Sequence, residues 1–431
     1  MTEGLSNRKI FGWLRVLAGF GSAQILIQAL GFLSGILIVR FLTKPDYAWF
    51  TITNTLIATM SMLADIGVSG ALSSIGGRVW QDNVRFGSLI RTALTLRRTL
   101  AWGSVAVVTP FLVWMLMKNS APVGIIAVLL PAALIGFSFQ LTASVLGVVI
   151  SLRQEIARMQ GIALAVACLR VALIGIAALV FIDARIAVMA GVLATGLQVW
   201  LVRRWTLGAV DVTAPESPEY RTEILSVVKR QAPLTIFFCI QSQIGVWLIS
   251  FFGNEQRVAD IGALGRFALI FTLVSSVMSG VVVPRFARCQ YPGVLRRRYW
   301  QVAIGFALIA GVLVGASAVF PRPLLWVLGA KYANLENEVW LMMLSAAVGG
   351  LFTTLFSLTY SKGWIAPAAI SIPLEIAVQA ILMLLLDIST VRGVLWIGCI
   401  TPIPMMLMNM IVAHAAMRRI PSPADAGASE T

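Results

Sequence analysis

The stretch GIALAVACLRVALIGIAALVFI, residues 161–182, carries a single charged side chain, Arg170. A run of about 20 apolar residues is long enough to cross the hydrocarbon core of a bilayer as a helix, and a helix satisfies its own backbone hydrogen bonds there. The stretch therefore predicts a transmembrane helix with Arg170 near its centre. A charge at that depth costs roughly 2.5–3.5 kcal/mol, so we expect Arg170 to face protein or water and not lipid.

Runs of this kind recur along the whole chain of 431 residues, of which 59% are hydrophobic and 12% are charged. Such a composition is typical of integral membrane proteins and not of soluble globular domains. We predict an all-α polytopic membrane protein with about twelve transmembrane helices. The predicted spans are residues 15–42, 47–76, 99–117, 122–150, 160–182, 186–202, 234–252, 261–286, 300–320, 338–361, 365–387 and 393–416.

The lysines and arginines predict the orientation of these spans. Most of the 33 basic residues fall in segments that lie on one side of the membrane when the spans alternate in direction. Because cytoplasmic loops are enriched in Lys and Arg, we assign that side, together with both termini, to the cytoplasm. The net charge of +15 then indicates a face near anionic lipid headgroups and not a surface that binds nucleic acid.

The spans divide into two sets of six. Residues 203–233, the longest polar stretch, separate them and predict a cytoplasmic linker between an N-terminal lobe (1–202) and a C-terminal lobe (234–431) with a short cytoplasmic tail. Transporters use duplicated halves of this kind to build a central site at the repeat interface. The spacing therefore favours two six-helix lobes around a central cavity.

Two cytoplasmic segments mix apolar and basic residues. The linker ends in a short amphipathic pattern, and the basic segment 78–98 interleaves arginines with apolar side chains. Such patterns favour helices that lie on the membrane surface. We expect this placement for segment 78–98 and for the apolar linker residues Ile224, Leu225, Val227 and Val228.

The residue types needed for most catalytic and metal sites are scarce. The four cysteines form no CxxC pair, and His414 is the single histidine. The phosphate-binding loop GxxxxGK(S/T) and the motifs GxSxG and HExxH do not occur in the sequence. The sequence predicts no catalytic residues, no metal site and no cofactor, and we expect that the protein is not an enzyme.

Three arginines, Arg40, Arg170 and Arg266, fall inside or at the ends of predicted spans. The sequence leaves two interpretations of them open. Each pairs with a backbone carbonyl or a carboxylate such as Asp65 or Glu375, or the three line a water-filled cationic cavity. Guanidinium groups bind phosphate oxygens in bidentate fashion, so a cavity of this kind suits a pyrophosphate or an acidic sugar.

Uncharged amides accompany the arginines within the spans. Amide side chains hydrogen-bond to hydroxyl-rich sugars, although contacts between helices account equally well for any one of them. The candidates for a sugar-binding cavity are Gln24, Gln28, Asn54, Gln140, Gln241 and Gln243.

Two sequence motifs carry a resemblance to a known family. The segment VRFLTKPDYAWFTI (39–52), followed by LADIGVSGALSS (63–74), resembles the opening of polysaccharide transporters, the Wzx-type flippases of the multidrug/oligosaccharidyl-lipid/polysaccharide (MOP) superfamily. The segment VVVPRFAR (281–288) is similar to the end of that family's eighth helix. The span count, the two halves and the basic inner loops extend the resemblance over the whole chain.

The resemblance implies a transporter in the bacterial cytoplasmic (inner) membrane. Its cargo would be an oligosaccharide repeat unit of O-antigen or exopolysaccharide type on a polyprenyl pyrophosphate carrier, moved to the outer leaflet by alternating access. A polysaccharide polymerase or export machinery would be a partner. By analogy with related flippases, Arg266 would hold the pyrophosphate. The family also implies coupling to an ion, for which the carboxylates Asp65 and Glu375 are candidates. The alternative for Asp65 is that it only fixes helix geometry.

Two other functions remain as alternatives. A drug or cation antiporter of the same superfamily, of the MATE type, requires a cavity dominated by acids, whereas arginines outnumber carboxylates within these spans. A membrane-embedded glycan ligase or acyltransferase ordinarily presents large outer loops, whereas every predicted outer loop here is short. The residues therefore favour the flippase.

Overall fold

A computed structural model of the chain describes residues 23–153, 155–206, 214–278, 282–287, 289, 292–364 and 367–418. In these ranges the secondary structure is helical, without strands. The α-helices are α1 (Ala23–Phe41), α2 (Lys44–Asp65), α3 (Val68–Val79), α4 (Asn83–Lys118), α5 (Val123–Leu152), α6 (Ile156–Val180), α7 (Ala184–Thr206), α8 (Pro218–Phe252), α9 (Glu255–Leu264), α10 (Leu269–Val277), α11 (Val283–Ala287), α12 (Pro292–Val319), α13 (Pro321–Leu328), α14 (Val339–Ser361), α15 (Ala368–Leu385), α16 (Val391–Ile400) and α17 (Pro402–Arg418). A short 3-10 helix, Ala330–Leu335, follows α13.

The described residues contain ten or eleven candidate spans, slightly fewer than the predicted twelve. Ten helical segments within the described residues are long and apolar enough to cross a membrane. The pair α2 and α3 forms one more span that is bent by 45°, and the shorter apolar stretch Ala369–Leu385 occupies the place of the predicted eleventh span. The prediction of an all-α polytopic membrane protein is confirmed. Residues 15–22 of the first predicted span, 279–281 of the eighth and 365–366 of the eleventh lie outside the described residues.

The described residues form two compact units, one that ends at Ser250 and one that begins at Phe251. Helix α8 belongs to the first unit: Cys239 Sγ lies 3.7 Å from the Thr59 carbonyl oxygen of α2, and Trp247 contacts Phe111 of α4 edge to face. The predicted division into two six-helix lobes, on either side of residues 203–233, groups the spans by their order in the sequence. It stays a prediction.

The two predicted surface segments instead pack inside the first unit, so that prediction is wrong. Residues 83–98 are the first turns of α4, and Phe86 and Leu89 are fully buried there. Residues 218–233 are the first turns of α8, and Ile224 and Val228 belong to the same buried cluster as Phe86. The apolar sides of the two segments therefore pack against protein. Burial against side chains removes apolar area from water just as burial in lipid does.

Candidate functional site

Asp65 is the last residue of α2, at the bend that separates α2 from α3. Ile66 and Gly67 follow it with positive φ angles of 27° and 84°. Asp65 Oδ1 accepts hydrogen bonds from Ser69 N at 3.1 Å and from Ser69 Oγ at 2.7 Å, and so satisfies one of the free N–H groups at the start of α3. Glycine at position 67 relieves the strain of the left-handed backbone.

The same carboxylate forms an ion pair with Arg97 of α4. Arg97 Nη2 lies 3.2 Å from Asp65 Oδ1, and Arg97 Nη1 donates to Ser69 Oγ at 3.5 Å. The sequence offered Asp65 as a partner for Arg40, Arg170 or Arg266, and the structure gives it Arg97. Sequence reasoning missed Arg97 because it falls within a run of basic residues that indicates a surface segment.

Arg170 is half-buried on α6, a helix with few buried residues. It lies four residues before Ile174, which is fully buried, and eight residues after Ile162, which is also buried. Positions four and eight apart share one face of a helix, so Arg170 belongs to the stripe of α6 that contacts protein. It engages a neighbour there through a polar, charge or ring contact.

Arg266 lies where the eighth span is interrupted. Between α9 and α10 the backbone leaves α-helical geometry. Hydrogen bonds between residues three apart connect the two helices there, such as Arg266 N to Ala263 O (3.1 Å) and Leu269 N to Arg266 O (3.3 Å). A 3-10 stretch in the middle of a helix often marks a hinge, and interrupted spans form the binding sites of many transporters. Arg266 is half-buried and in contact with a neighbour.

The remaining candidates have mixed environments. Arg40, at the end of α1, is exposed and also in contact with a neighbour, as expected for a side chain that reaches the membrane surface. Gln24 and Gln28 are both half-buried and lie four residues apart on one face of α1. Asn54 Nδ2 donates to the Phe50 carbonyl of its own helix at 2.8 Å.

The other amides are less well placed for a common cavity. Gln140 is exposed on α5. Gln241 and Gln243 are both half-buried, but residues two apart on α8 point to different sides of the helix, so only one of them can face a given cavity. Gln243 Nε2 donates to Ser242 Oγ at 3.2 Å.

Glu375 is 6% exposed in the middle of α15, and its Oε2 has no hydrogen-bond partner among the described residues. Ser371 and Gln379 are buried one turn before and one turn after it, so the three form a polar stripe on one face of an apolar helix. Sequence reasoning found Glu375 but missed its two neighbours. The spacing of four in a span that is otherwise apolar is the signal that predicts the stripe.

The described residues contain no group of three or more His, Cys, Asp or Glu side chains arranged to hold a metal ion. The polar groups within the spans are instead arginines, amides and single carboxylates. Such groups can bind anions and hydroxyl groups, and the carboxylates can exchange a proton or hold a cation.

Sequence comparison finds no family for the chain: no family model matches it, and no curated protein matches it. Comparison of the fold with solved structures does find similar proteins. The lipid II flippase MurJ, in an inward closed conformation, aligns with a TM-score of 0.69 at 12% identity, over 91% of this chain and 86% of that one.

Two further structures align over nearly their whole length. The Vibrio cholerae MATE transporter VcmN aligns with a TM-score of 0.59 at 13% identity, over 93% of this chain and 98% of that one. A MOP superfamily transporter from Pyrococcus furiosus aligns with a TM-score of 0.55 at 12% identity, over 94% and 95%. The chain has the fold of MOP-superfamily transporters. At this identity the likeness concerns the fold and not the substrate.

Proposed function

We propose that the protein is a flippase that moves polyprenyl-pyrophosphate-linked oligosaccharide repeat units from the cytoplasmic to the outer leaflet of a bacterial inner membrane. The observation that carries this proposal is the position of Arg266 in the interrupted turn between α9 and α10. Spans interrupted near the bilayer midplane supply binding groups in transporters, and a guanidinium group there fits a pyrophosphate.

The charges within the spans support an anionic cargo. Arg170 is half-buried on the stripe of α6 that carries the buried residues Ile162 and Ile174, and it adds a second positive charge within a span. A buried carboxylate, Glu375, provides a group that can bind and release a cation or a proton. The similarity in fold to a protein described as a lipid II flippase supports a lipid-linked cargo.

The chemistry of such a flippase requires no bond to form or break. The polar head of the cargo would enter a polar cavity while the polyprenyl tail stays in lipid, so the sugars never cross hydrocarbon. Alternating access would then open the cavity to the outer side. Binding of an ion to Glu375 would return the empty transporter, and a polymerase would consume the product. Asp65 is less suited to this role because its carboxylate is paired with Arg97.

A second candidate function is a drug or cation antiporter of the MATE type. The unpartnered carboxylate oxygen of the buried Glu375 favours it, as does the similarity in fold to MATE transporters. The two functions predict opposite cargo charge. An antiporter for cations needs acids to outnumber arginines around its cargo, and a flippase for pyrophosphates needs the reverse.

The test is deletion of the gene in its native host and complementation with wild type, Arg266→Ala, Arg266→Lys and Arg170→Ala. A flippase predicts that lipid-linked repeat units accumulate on the cytoplasmic leaflet, and that both alanine variants fail to clear them at normal membrane levels. Arg266→Lys keeps the charge and loses the two-pronged contact, so we expect partial rescue.

The matched control is Arg296→Ala, which removes an exposed arginine at the start of α12 and should complement fully. Increased sensitivity to cationic drugs without accumulation of the lipid intermediate would replace the flippase with the antiporter. If lipid-linked repeat units accumulate in the deletion strain and both Arg266→Ala and Arg170→Ala clear them as well as wild type does, the protein is a flippase. The arginine site would then be overturned.

A further inference from the structure

Three arginines meet in a cavity of the first unit, between α4, α5 and α7. The cavity has a volume of about 250 Å³ and is lined by Arg97, Arg98 and Arg203 together with Ser138 and Thr142. Arg97 is held by its ion pair with Asp65. In the part of the chain that the structure describes, Arg98 and Arg203 have no hydrogen bond or ion pair from their side chains, so two guanidinium groups remain to bind an anion.

The cavity lies at the level of the lipid headgroups. Along α4, Arg98 is twenty residues from Lys118 at the other end, which at 1.5 Å per residue is about 30 Å, the thickness of the hydrocarbon core. Along α7, Arg203 is eighteen residues from Arg185, about 27 Å by the same rise. Two independent helices therefore place the arginines at one membrane interface, on the predicted cytoplasmic side.

An apolar groove leads from the cavity toward the hydrocarbon core. The groove, of about 340 Å³, shares Arg98, Ser138 and Leu141 with the cavity. It continues along α4 and α5 past Ala101, Trp102 and Leu134. Trp102 is 76% exposed, one turn of helix deeper than Arg98, which is where tryptophan is enriched at a membrane interface.

We propose that this cavity and groove form a binding site for an anionic phospholipid of the surrounding bilayer. The guanidinium groups of Arg98 and Arg203 hold the headgroup phosphate, and one acyl chain lies in the groove beside Trp102. Ser138 and Thr142 line the cavity, but their hydroxyl groups donate to the Ile135 and Ser138 carbonyls of α5, so the arginines supply the donors. Basic pockets between spans on the cytoplasmic side bind anionic headgroups in other membrane proteins. A soluble phosphate would leave the groove unfilled, which is why the geometry favours a lipid. The site does not depend on the proposed cargo.

The test measures thermal unfolding of the purified full-length protein in a neutral detergent. Phosphatidylglycerol should raise Tm by about 2 °C or more, whereas phosphatidylcholine with the same acyl chains and soluble glycerol phosphate should not. In the Arg98→Ala/Arg203→Ala double variant, about tenfold more phosphatidylglycerol should be needed for half of that rise. Trp102→Ala should weaken the response without changing the charge.

The matched control is Arg221→Ala, which removes an exposed arginine from the start of α8. It should respond as wild type does. An equal response of the double variant and wild type would overturn the site. So would an equal effect of phosphatidylcholine, which would indicate a nonspecific lipid effect. Stabilisation by glycerol phosphate or by polyprenyl phosphate, but not by phosphatidylglycerol, would assign the arginines to another ligand and overturn the phospholipid as occupant.

Discussion

Arg97 Nη2 lies 3.2 Å from Asp65 Oδ1, and only 5% of the arginine side chain is exposed against 31% of the aspartate. The pair joins α4 to the bend between α2 and α3, where Asp65 also caps α3 through Ser69. A buried guanidinium without a counter-charge is costly, so Arg97 depends on Asp65 more than Asp65 depends on Arg97. The ion pair therefore connects α4 to this bend, and it neutralises one of the three arginines that line the proposed phospholipid site.

Asp65→Asn should destabilise the protein by about 2–3 kcal/mol. The amide still accepts a hydrogen bond from Ser69 N but leaves the charge of Arg97 uncompensated, and the loss falls below that of a fully buried pair because Asp65 is partly hydrated. Thermal unfolding in detergent measures it. Adding Arg97→Met to Asp65→Asn should recover part of the loss, since both charges are then gone.

The exposed pair of Arg158 and Glu155 serves as the control. Glu155→Gln should cost at most about 1 kcal/mol because solvent screens that pair. If Asp65→Asn costs no more than Glu155→Gln, the pair of Asp65 and Arg97 does not stabilise the bend.

Gly393→Ala should destabilise the second unit. A Cβ at position 393 would overlap the carbonyl oxygen of Asp387 and lie 3.1 Å from Thr390 Oγ1, which caps α16 by accepting from Gly393 N. The clash is with backbone, so the loop before α16 must shift, and we expect a loss of about 2 kcal/mol or more in the free energy of unfolding. Gly349→Ala has open space around its Cβ and should be neutral or slightly stabilising. Equal melting of the two variants would contradict the prediction.

The spans were predictable because each must satisfy a length and a composition set by the bilayer. The interrupted spans were partly predictable. Asp65 and Gly67 stand two positions apart in the sequence, and Gly262 and Gly265 precede Arg266, but single glycines also occur within continuous helices. The burial of Arg97 was not predictable, since it depends on a carboxylate 32 positions away in the sequence that only the tertiary fold brings close.

The surface segments illustrate the same limit. An amphipathic pattern reports that one face of a helix avoids water, and it does not report whether lipid or protein covers that face. Phe86 and Ile224 therefore fit a membrane surface and a protein core equally well until the structure places both in one cluster. The sequence also does not determine which of the amides Gln241 and Gln243 faces a cavity. The composition of a helix does not fix its rotation about its own axis.

Glu338→Gln should reduce the pH dependence of stability. Burial raises the pKa of Glu338 above its usual 4.5, an effect that Arg392 partly offsets and that Asp260 increases. The folded state then binds this proton more tightly than the unfolded chain does, so the free energy of unfolding falls as pH rises from about 4.5 through the raised pKa. The glutamine variant should melt higher than wild type above that window and equally at about pH 4.

Melting curves from pH 4 to 8 in one detergent check this prediction. The gain at neutral pH should stay below about 1 kcal/mol, since the site is partly hydrated. Glu219→Gln, at an exposed glutamate on α8, should leave the pH profile unchanged. A glutamine variant at 338 with the wild-type slope between pH 4 and 8 would be incompatible with a raised pKa.

Glu375→Gln separates a coupling role from a structural one. Glu375 is buried between Ser371 and Gln379 on α15, with Oε2 unpartnered among the described residues, and a neutral amide of the same shape removes the cost of a lone buried carboxylate. If the carboxylate couples transport to an ion, the variant should keep or raise Tm while transport falls about tenfold or more, because the empty transporter no longer returns. Accumulation of lipid-linked repeat units in complemented cells, normalised to the membrane level of each variant, measures transport. Glu336→Gln, at a partly exposed residue paired with Arg322, should transport normally. A fall in Tm with transport lost only in proportion would make Glu375 a packing residue, and the coupling ion would then have to act elsewhere.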